Sequence, residues 1–272
     1  MENNPVEDHK MSFIDHLSEL RQRLLITLTI VLVSFIVIFN YSEELLKILM
    51  FPMEKELVFK LQTPFIFFVS KNLKNVSLVF LQPAEAFWMH LKLSMIAAFI
   101  VSLPVVLTQV WLFVAPGLLP KEKKLALPFI VSGSVLFLMG AAFCFIIILP
   151  FALGFLLTYK TQSLTAMLSI GSYIDFNIKF LLAFGLVFEL PIVILFLTRF
   201  GIVTPERLAS SRKYAFVFAF IIAGILTPTP DAFNQTLMAV PMIVLYEIGI
   251  IASKIIFPKS KELVVIKEEV TK

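Results

Sequence analysis

The chain has 272 residues, of which 59% are hydrophobic and only 15% are charged, and its formal net charge is +4. Soluble domains typically contain about 45–50% apolar and about 25% charged residues. The mean hydropathy of +0.93 and the 29 Phe residues therefore exclude a soluble globular protein and predict an integral membrane protein. The single cysteine, Cys144, cannot form an intrachain disulfide, and we expect it to be a small core residue.

The first motif is a charged stretch, Ser12 to Leu24, directly before the first long apolar run. Its apolar residues recur at steps of four, three and four, which predicts an amphipathic helix. The stretch starts with a capping-box pattern, so the helix is expected to begin there. His16, Glu19 and Arg23 share another face of this helix. We therefore expect residues 1–23 to form a cytoplasmic amphipathic segment that leads into the first span.

Apolar runs farther along the chain predict an all-α membrane protein with six transmembrane helices, since a span needs about 20 apolar residues. The predicted spans are about 24–41, 87–115, 125–150, 175–197, 214–226 and 233–257, followed by a charged cytoplasmic tail at 258–272. Pro150 is expected to end the third helix. Residues 42 to about 84 are predicted to form a long polar loop with short apolar pieces.

The fifth apolar run is unusually short. Its 13 residues give a helix of about 20 Å, whereas the hydrocarbon core of a bilayer is about 30 Å thick. This mismatch predicts local thinning of the membrane or a partner that covers the difference.

Six spans place both termini on one side of the membrane. That side carries 15 of the 23 Lys and Arg residues, and the other side carries six. The excess of positive charge predicts that both termini of this multi-pass protein are cytoplasmic.

Glu189 lies well inside the fourth predicted span. A charge near the bilayer centre costs at least about 2.5–3.5 kcal/mol, and two interpretations are open. The carboxyl is either a protonated or hydrogen-bonded packing residue, or a polar site that faces a cavity or a polar substrate. Pro191 fits the second interpretation, because it frees a backbone carbonyl nearby and irregular backbone often lines a cavity.

Other acids have plain structural alternatives. Glu19 stands four residues before Arg23, the favourable orientation for a helix ion pair, and Glu122 stands among the lysines of a turn. Aimed together at a ligand, these two carboxylates would suit an Arg guanidinium, which binds carboxylates in a bidentate fork. Spacing also predicts a surface pair of Asp175 with Lys179, and either a pair of Glu247 with Lys254 or a functional role for Glu247.

Signals for catalysis are absent from the sequence. We find no H-E-x-x-H, G-x-S-x-G, P-loop, G-x-G-x-x-G or Cys/His metal spacing, and the three His residues are scattered. We therefore expect no enzyme activity, no metal site, no cofactor and no nucleic-acid partner.

Seven sequence motifs together resemble the TatC family, the large polytopic subunit of the twin-arginine protein translocase. They stand in the family's order among the six predicted spans and cover nearly the whole chain after residue 11. The motifs are H-L-S-E-L-R-Q-R-L at 16–24, F-P at 51–52, L-Q-P-A-E-A-F at 81–87, Q-V-W-L-F-V-A-P-G-L at 109–118, F-G-L-V-F-E-L-P at 184–191, L-T-P-T-P-D at 226–231 and Q-T-L-M-A-V-P-M at 235–242.

The resemblance implies a function. TatC proteins bind twin-arginine signal peptides of folded cargo and, with the single-span proteins TatA and TatB, move that cargo across the cytoplasmic membrane. The proton-motive force supplies the energy. The resemblance also implies a concave, glove-like arrangement of the six helices, self-association and contact with membrane lipid.

The resemblance further implies roles for residues at matching positions. Glu19 and Glu122 match the acids that receive the twin arginines. The other expected signal-peptide residues are Arg21, Arg23, Phe113 and Pro52. Glu189 matches an intramembrane polar site. Partner helices are expected to dock around Thr227, Asp231 and Gln235.

Two rival functions come from other classes. One is a proton-coupled secondary transporter that uses Glu189 as its proton site, although the sequence lacks the paired broken half-helices that transporters often show. The other is a purely structural membrane scaffold.

Overall fold

The computed structural model of the protein describes residues 13–59, 66–70, 76–117, 123–158, 166–227 and 231–256. Three of the features predicted from the sequence lie outside these residues, namely the helix cap at Ser12, the acid Glu122 and the tail at 258–272.

The described chain is almost entirely helical, with four short strands. Its helices are α1 (Phe13–Phe39), α2 (Ser42–Glu54), α3 (Glu85–Val114), α4 (Ala126–Phe143), α5 (Leu149–Thr158), α6 (Ile170–Phe188), α7 (Leu190–Arg199), α8 (Pro205–Ser210), α9 (Arg212–Leu226) and α10 (Ala232–Ile256). A 3₁₀ turn (Ala115–Gly117) follows α3, and a π-helical turn (Cys144–Ile148) joins α4 to α5. The strands are β1 (Lys55–Phe59), β2 (Ile66–Ser70), β3 (Val76–Val79) and β4 (Ala166–Ser169).

The chain divides into two compact units. The first unit consists of the chain up to Ser42 together with Ser94–Ser134, and so contains α1 and most of α3. The second unit consists of Glu43–Leu93 and the chain from Val135 onward. Within the first unit, Ser102 Oγ donates a hydrogen bond of 2.9 Å to Ser34 Oγ, which joins α3 to α1.

Five helices of the described chain are long and apolar enough to cross a membrane. They cover Ile14–Phe39, Glu85–Val114, Ala126–Leu157, Ile170–Arg199 and Ala232–Ile256. The prediction of a helical, multi-pass membrane protein is therefore confirmed, although the described chain is nearly rather than entirely α-helical. Helix α9 has 15 residues and is about 22 Å long, which is shorter than the bilayer core of about 30 Å.

The prediction that the third helix ends at Pro150 is wrong, because the helix continues to Thr158. A proline inside an α-helix clashes with the carbonyl four residues before it. Here the π-helical turn directly precedes Pro150, and the Leu149 N–H bonds to the Cys144 carbonyl five residues back. The wider turn makes room for the proline ring, so the helix passes through it.

Residues 42–84, predicted as a loop, contain a helix and three strands. Strands β1 and β2 pair in antiparallel orientation, with Lys55 opposite Ser70 at one end and Phe59 opposite Ile66 at the other. Strand β3 pairs in parallel with β4, which is distant in sequence, with Val76 opposite Ala166 and Val79 opposite Ser169. Each apolar segment is too short to span a membrane. The local sequence pattern does not predict these strands, because it does not show which segment each one pairs with.

One carboxylate ties the start of α3 to the start of α6. Glu85 Oε2 accepts from the backbone N–H of Leu81 at 2.7 Å and of Gln82 at 3.3 Å. Glu85 Oε1 accepts from the Gly171 N–H at 2.8 Å and from the Ser169 hydroxyl. A Cβ at Gly171 would lie 2.7 Å from Glu85 Oε1, so only glycine permits this approach.

The core of the second unit is built where α6 packs on its neighbours. Phe180 and Phe184 of α6 are fully buried with Cys144 and Met238, which confirms Cys144 as a core residue. The Phe137 ring packs so closely on Gly185 that a Cβ there would lie 2.5 Å from Phe137 Cζ. Small residues at such points let membrane helices approach closely.

Candidate functional site

In the first unit, an aromatic stack joins the amphipathic start of α1 to the end of α3. The His16 imidazole and the Phe113 ring lie 4.3 Å apart between centroids, with an angle of 11° between their planes. Both side chains are half-buried. Two residues far apart in sequence therefore form one flat surface.

One turn farther along α1, Glu19 forms the ion pair that its spacing predicts. Arg23 Nη2 donates to Glu19 Oε1 at 3.0 Å, and the side chains are only 27% and 14% exposed, respectively. Glu19 Oε2 and Arg23 Nε are both buried, with no hydrogen-bond partner in the described part of the chain. The unpaired oxygen can accept a hydrogen bond from another donor. Such a bond would be favourable, because a buried polar atom without a partner is costly.

His16 is the residue that the sequence interpretation did not use. Its spacing of three and seven residues from Glu19 and Arg23 placed it on their helix face, but nothing in the sequence indicated its stack on Phe113. The structure thus brings His16, Glu19, Arg23 and Phe113 into one region, which we call the α1 site.

The structure does not add the three other expected signal-peptide residues to this cluster. Arg21 is exposed on α1. Pro52 is fully buried inside α2 and belongs to the second unit. Glu122 lies outside the described residues.

Glu189 occupies the junction between α6 and α7. The side chain is half-buried, and its Oε1 is buried without a hydrogen-bond partner among the residues that the structure describes. Pro191 follows in the first turn of α7. Oε1 therefore does not make the hydrogen bond that a packing role for Glu189 would predict, and it can bind another polar group.

The three residues expected to dock partner helices lie at the connection between α9 and α10. Thr227 ends α9, where its N–H donates to the Ala223 carbonyl at 2.8 Å. Asp231 precedes α10 and accepts from the Asn234 N–H at 2.8 Å. Gln235 Nε2 donates to the Phe220 carbonyl at 2.8 Å. Asp231 and Gln235 therefore already have structural roles within the chain.

The ion pair of Asp175 with Lys179 that helix spacing predicts is wrong, because the acid binds a cation of another helix. Lys92 Nζ donates to both carboxylate oxygens of Asp175, at 2.7 and 2.9 Å, so Lys179 is not the partner of Asp175.

Glu247 binds Arg212 in the same way, since Arg212 Nε and Nη2 donate to its two oxygens at 2.6 and 2.9 Å. Lys254 is not the partner of this carboxylate. The preceding residue, Tyr246, adds a second link by donating from its hydroxyl to the Leu208 carbonyl at 2.9 Å.

Metal chemistry finds no support in this geometry. No group of three or more His, Cys, Asp or Glu residues could hold a metal ion within the described ranges. Two carboxylate oxygens, Glu19 Oε2 and Glu189 Oε1, instead lack a partner in the described part of the chain, which suits binding of polar groups.

Comparison with known proteins identifies the family. Residues 15–241 match the family model described as Sec-independent protein translocase protein (TatC). The chain belongs to the TatC family.

Two relatives of this TatC family member match over nearly their whole length. The TatC protein of Carboxydothermus hydrogenoformans is 37% identical over 254 residues, which cover 93% of this chain and 97% of the relative. The TatC protein of Aquifex aeolicus is 38% identical over 255 residues, which cover 93% and 99%, respectively.

Solved structures agree with the fold. A crystal structure of the twin arginine translocase receptor TatC is 38% identical to this chain and has a TM-score of 0.73, covering 88% of this chain and 98% of that one. A second structure of that receptor, in DDM, gives a TM-score of 0.74. TatC proteins are non-enzymatic membrane components of a translocase. Membership of this family therefore confirms the prediction that the chain is not an enzyme.

We predict that Asp231→Ala weakens the start of α10. The aspartate is the N-cap of this helix, and removal of such a cap costs about 1 kcal/mol. Thermal unfolding of the purified protein in detergent should show a lower midpoint for Asp231→Ala and a near-normal midpoint for Asp231→Ser, which keeps a capping oxygen. An unchanged midpoint in Asp231→Ala would contradict the capping role.

Proposed function

We propose that this chain is the signal-peptide receptor and core subunit of a twin-arginine translocase. In this role it binds twin-arginine signal peptides and moves folded proteins across the cytoplasmic membrane, driven by the proton-motive force. The observation that carries the proposal is the Glu19 carboxylate, held by Arg23 through one oxygen while its second oxygen is buried and unpaired.

An arginine side chain fits this carboxylate chemically. A guanidinium presents parallel N–H donors that match the two oxygens of a carboxylate, whereas a lysine ammonium is a point charge. Glu19 accepts a single bond of 3.0 Å from Arg23. An arriving arginine would take the unpaired oxygen first and could then replace Arg23, so the ion pair and the receptor are two states of one site.

The remaining expected residues extend the proposed site. The stacked His16 and Phe113 rings offer a flat surface one turn from Glu19, and arginine planes stack well on such faces. Glu122 supplies the second acid for the second arginine. Arg21, exposed on α1, and Pro52, buried in α2, complete the proposed signal-peptide residues.

We further infer six spans, with α9 as the short fifth, in a concave, glove-like arrangement with both termini cytoplasmic. The short α9 thins the bilayer locally. TatA- and TatB-like single-span partners dock around Thr227, Asp231 and Gln235, and Glu189 meets a polar group of a partner helix or of the inserted signal peptide. Copies of the chain self-associate, and membrane lipid surrounds them.

A proton-coupled secondary transporter is the second candidate, favoured by one observation. The buried, unpaired Oε1 of Glu189 could hold a proton. The two candidates differ in what they require: a transporter moves a small solute in vesicles that contain this chain alone, whereas a translocase core needs single-span partners and folded cargo.

We predict that Glu19→Ala weakens binding of a signal peptide that contains Arg-Arg. Loss of a hydrogen bond between charged groups costs about 1.5–3 kcal/mol, so affinity should fall about tenfold or more. The measurement is photocrosslinking of the peptide to a probe at exposed Leu20, titrated with peptide. Glu122→Ala should act in the same direction.

Two matched controls sharpen this experiment. Asp15→Ala removes an exposed acid one turn earlier on α1 and should leave crosslinking unchanged, and a Lys-Lys peptide should bind poorly to the unmodified chain. Unchanged crosslinking in the double variant Glu19→Ala, Glu122→Ala would refute the acid-pair hypothesis.

We predict that Glu189→Gln leaves the amount of protein in the membrane unchanged but lowers export of a folded reporter, because an amide carries neither the charge nor the acidic proton of a carboxyl and so binds a polar partner more weakly. Glu43→Ala, at an exposed acid of α2, is the control and should export normally. Normal export by Glu189→Gln would return this residue to a packing role. Solute uptake by vesicles that contain the chain alone would favour the transporter.

The topology is testable by cysteine labelling in a Cys144→Ala background. We expect Asn75→Cys to react with a membrane-impermeant maleimide added to intact cells, and Glu122→Cys to react only after lysis, because the positive charges favour a cytoplasmic location for position 122. The reverse pattern would overturn the orientation of all six spans.

A further inference from the structure

A lysine within a candidate membrane span has no anionic partner in the described part of the chain. Lys179 lies nine residues into α6, about 14 Å along the helix from Ile170, and α6 belongs to the candidate span Ile170–Arg199. Its neighbour Asp175 is neutralised by Lys92 through both carboxylate oxygens. Charged groups inside a membrane span are expensive and almost always pair with one another or with backbone carbonyls. Lys179 has neither kind of partner among the described residues, so an anion from outside the chain would satisfy it.

The Lys179 side chain borders a cavity of about 410 Å³ in the second unit. The walls are largely apolar, and Asp175 and Lys179 supply the charge. The apolar walls are made by Leu153, Leu156, Leu157, Leu168 and Phe176. A ligand that fits this cavity therefore has a hydrocarbon part and an anionic part.

Aromatic residues locate this region relative to the membrane surface. Trp88 is 58% exposed on α3, one turn before Lys92, the residue that binds Asp175. Exposed Phe80 and Phe87 lie near it in sequence. Exposed tryptophans are typical of the interface between headgroups and acyl chains, so the cavity lies at or just below the headgroups, within reach of a lysine that extends toward the surface.

We propose that this cavity is a binding site for a phospholipid with an anionic headgroup. The lipid phosphate accepts from the Lys179 ammonium, and one acyl chain lies against Leu153, Leu156 and Leu157. The Lys92–Asp175 pair prevents Asp175 from repelling the phosphate. The bound lipid thereby supplies the counter-charge that the protein lacks.

The test is native mass spectrometry of the full chain, purified in detergent and titrated with dioleoyl phosphatidylglycerol. We expect one tightly retained lipid per chain. Lys179→Gln should weaken its affinity about tenfold, since one hydrogen bond between charged groups is lost. Lys179→Arg keeps the charge and should retain the lipid.

Lys213→Gln is the matched control, because it removes an exposed lysine beside Tyr214, away from the cavity lining. Equal losses of lipid in Lys179→Gln and Lys213→Gln would mean that lipid retention depends only on the net charge of the protein, and would contradict a specific binding site at Lys179. Leu157→Trp fills the cavity without removing charge and should also release the lipid. Normal retention by Leu157→Trp would overturn the acyl-chain position and remains decisive if Lys179→Gln does not fold.

A final arm separates a lipid from a free anion. Inorganic phosphate at millimolar concentration should not displace dioleoyl phosphatidylglycerol, because it lacks the hydrocarbon chain that fills the apolar walls. Full displacement by phosphate would overturn the phospholipid assignment.

Discussion

The hydrocarbon interior of a membrane offers no water to polar groups, so backbone bonds and charges must be satisfied by the protein or by a ligand. Most of the backbone meets this constraint by forming helices. Four charged residues of the second unit meet it through pairs between helices, Lys92 with Asp175 and Arg212 with Glu247. Each pair joins residues more than 30 positions apart, so it fixes the helices relative to each other as well as neutralising charge.

Three of the groups that escape this constraint are informative. Glu19 Oε2 and Glu189 Oε1 are buried without partners in the described residues, and Lys179 has no counter-charge there. We relate each one to an external group: an arginine of a signal peptide, a polar group of a partner or peptide, and a lipid phosphate. Polar atoms without partners and ionisable groups in membranes often mark function, and the three cases differ in chemistry and in location.

The core of the second unit is tightly held, whereas the α1 site is held by few bonds. The core around Phe180 and Phe184 is closely packed, with Phe137 pressed on Gly185, and Glu85 fixes the starts of α3 and α6 through four hydrogen bonds. The α1 site is different, because Glu19 is held by one bond to a neighbour on its own helix. Such a bond is replaceable by a better donor, which is what a receptor requires.

The sequence by itself determined the membrane class, the helical architecture and the family, because these depend on apolar run length and on motifs that are local. It also predicted the Glu19–Arg23 pair, since residues four apart on a helix meet whatever surrounds them. Only the tertiary structure decided the partners of Asp175 and Glu247, the pairing of β3 with β4, the stack of His16 on Phe113 and the passage of the helix through Pro150. The physical reason is that competing partners from other helices, or a change of helical turn, outweigh local spacing once the chain is packed.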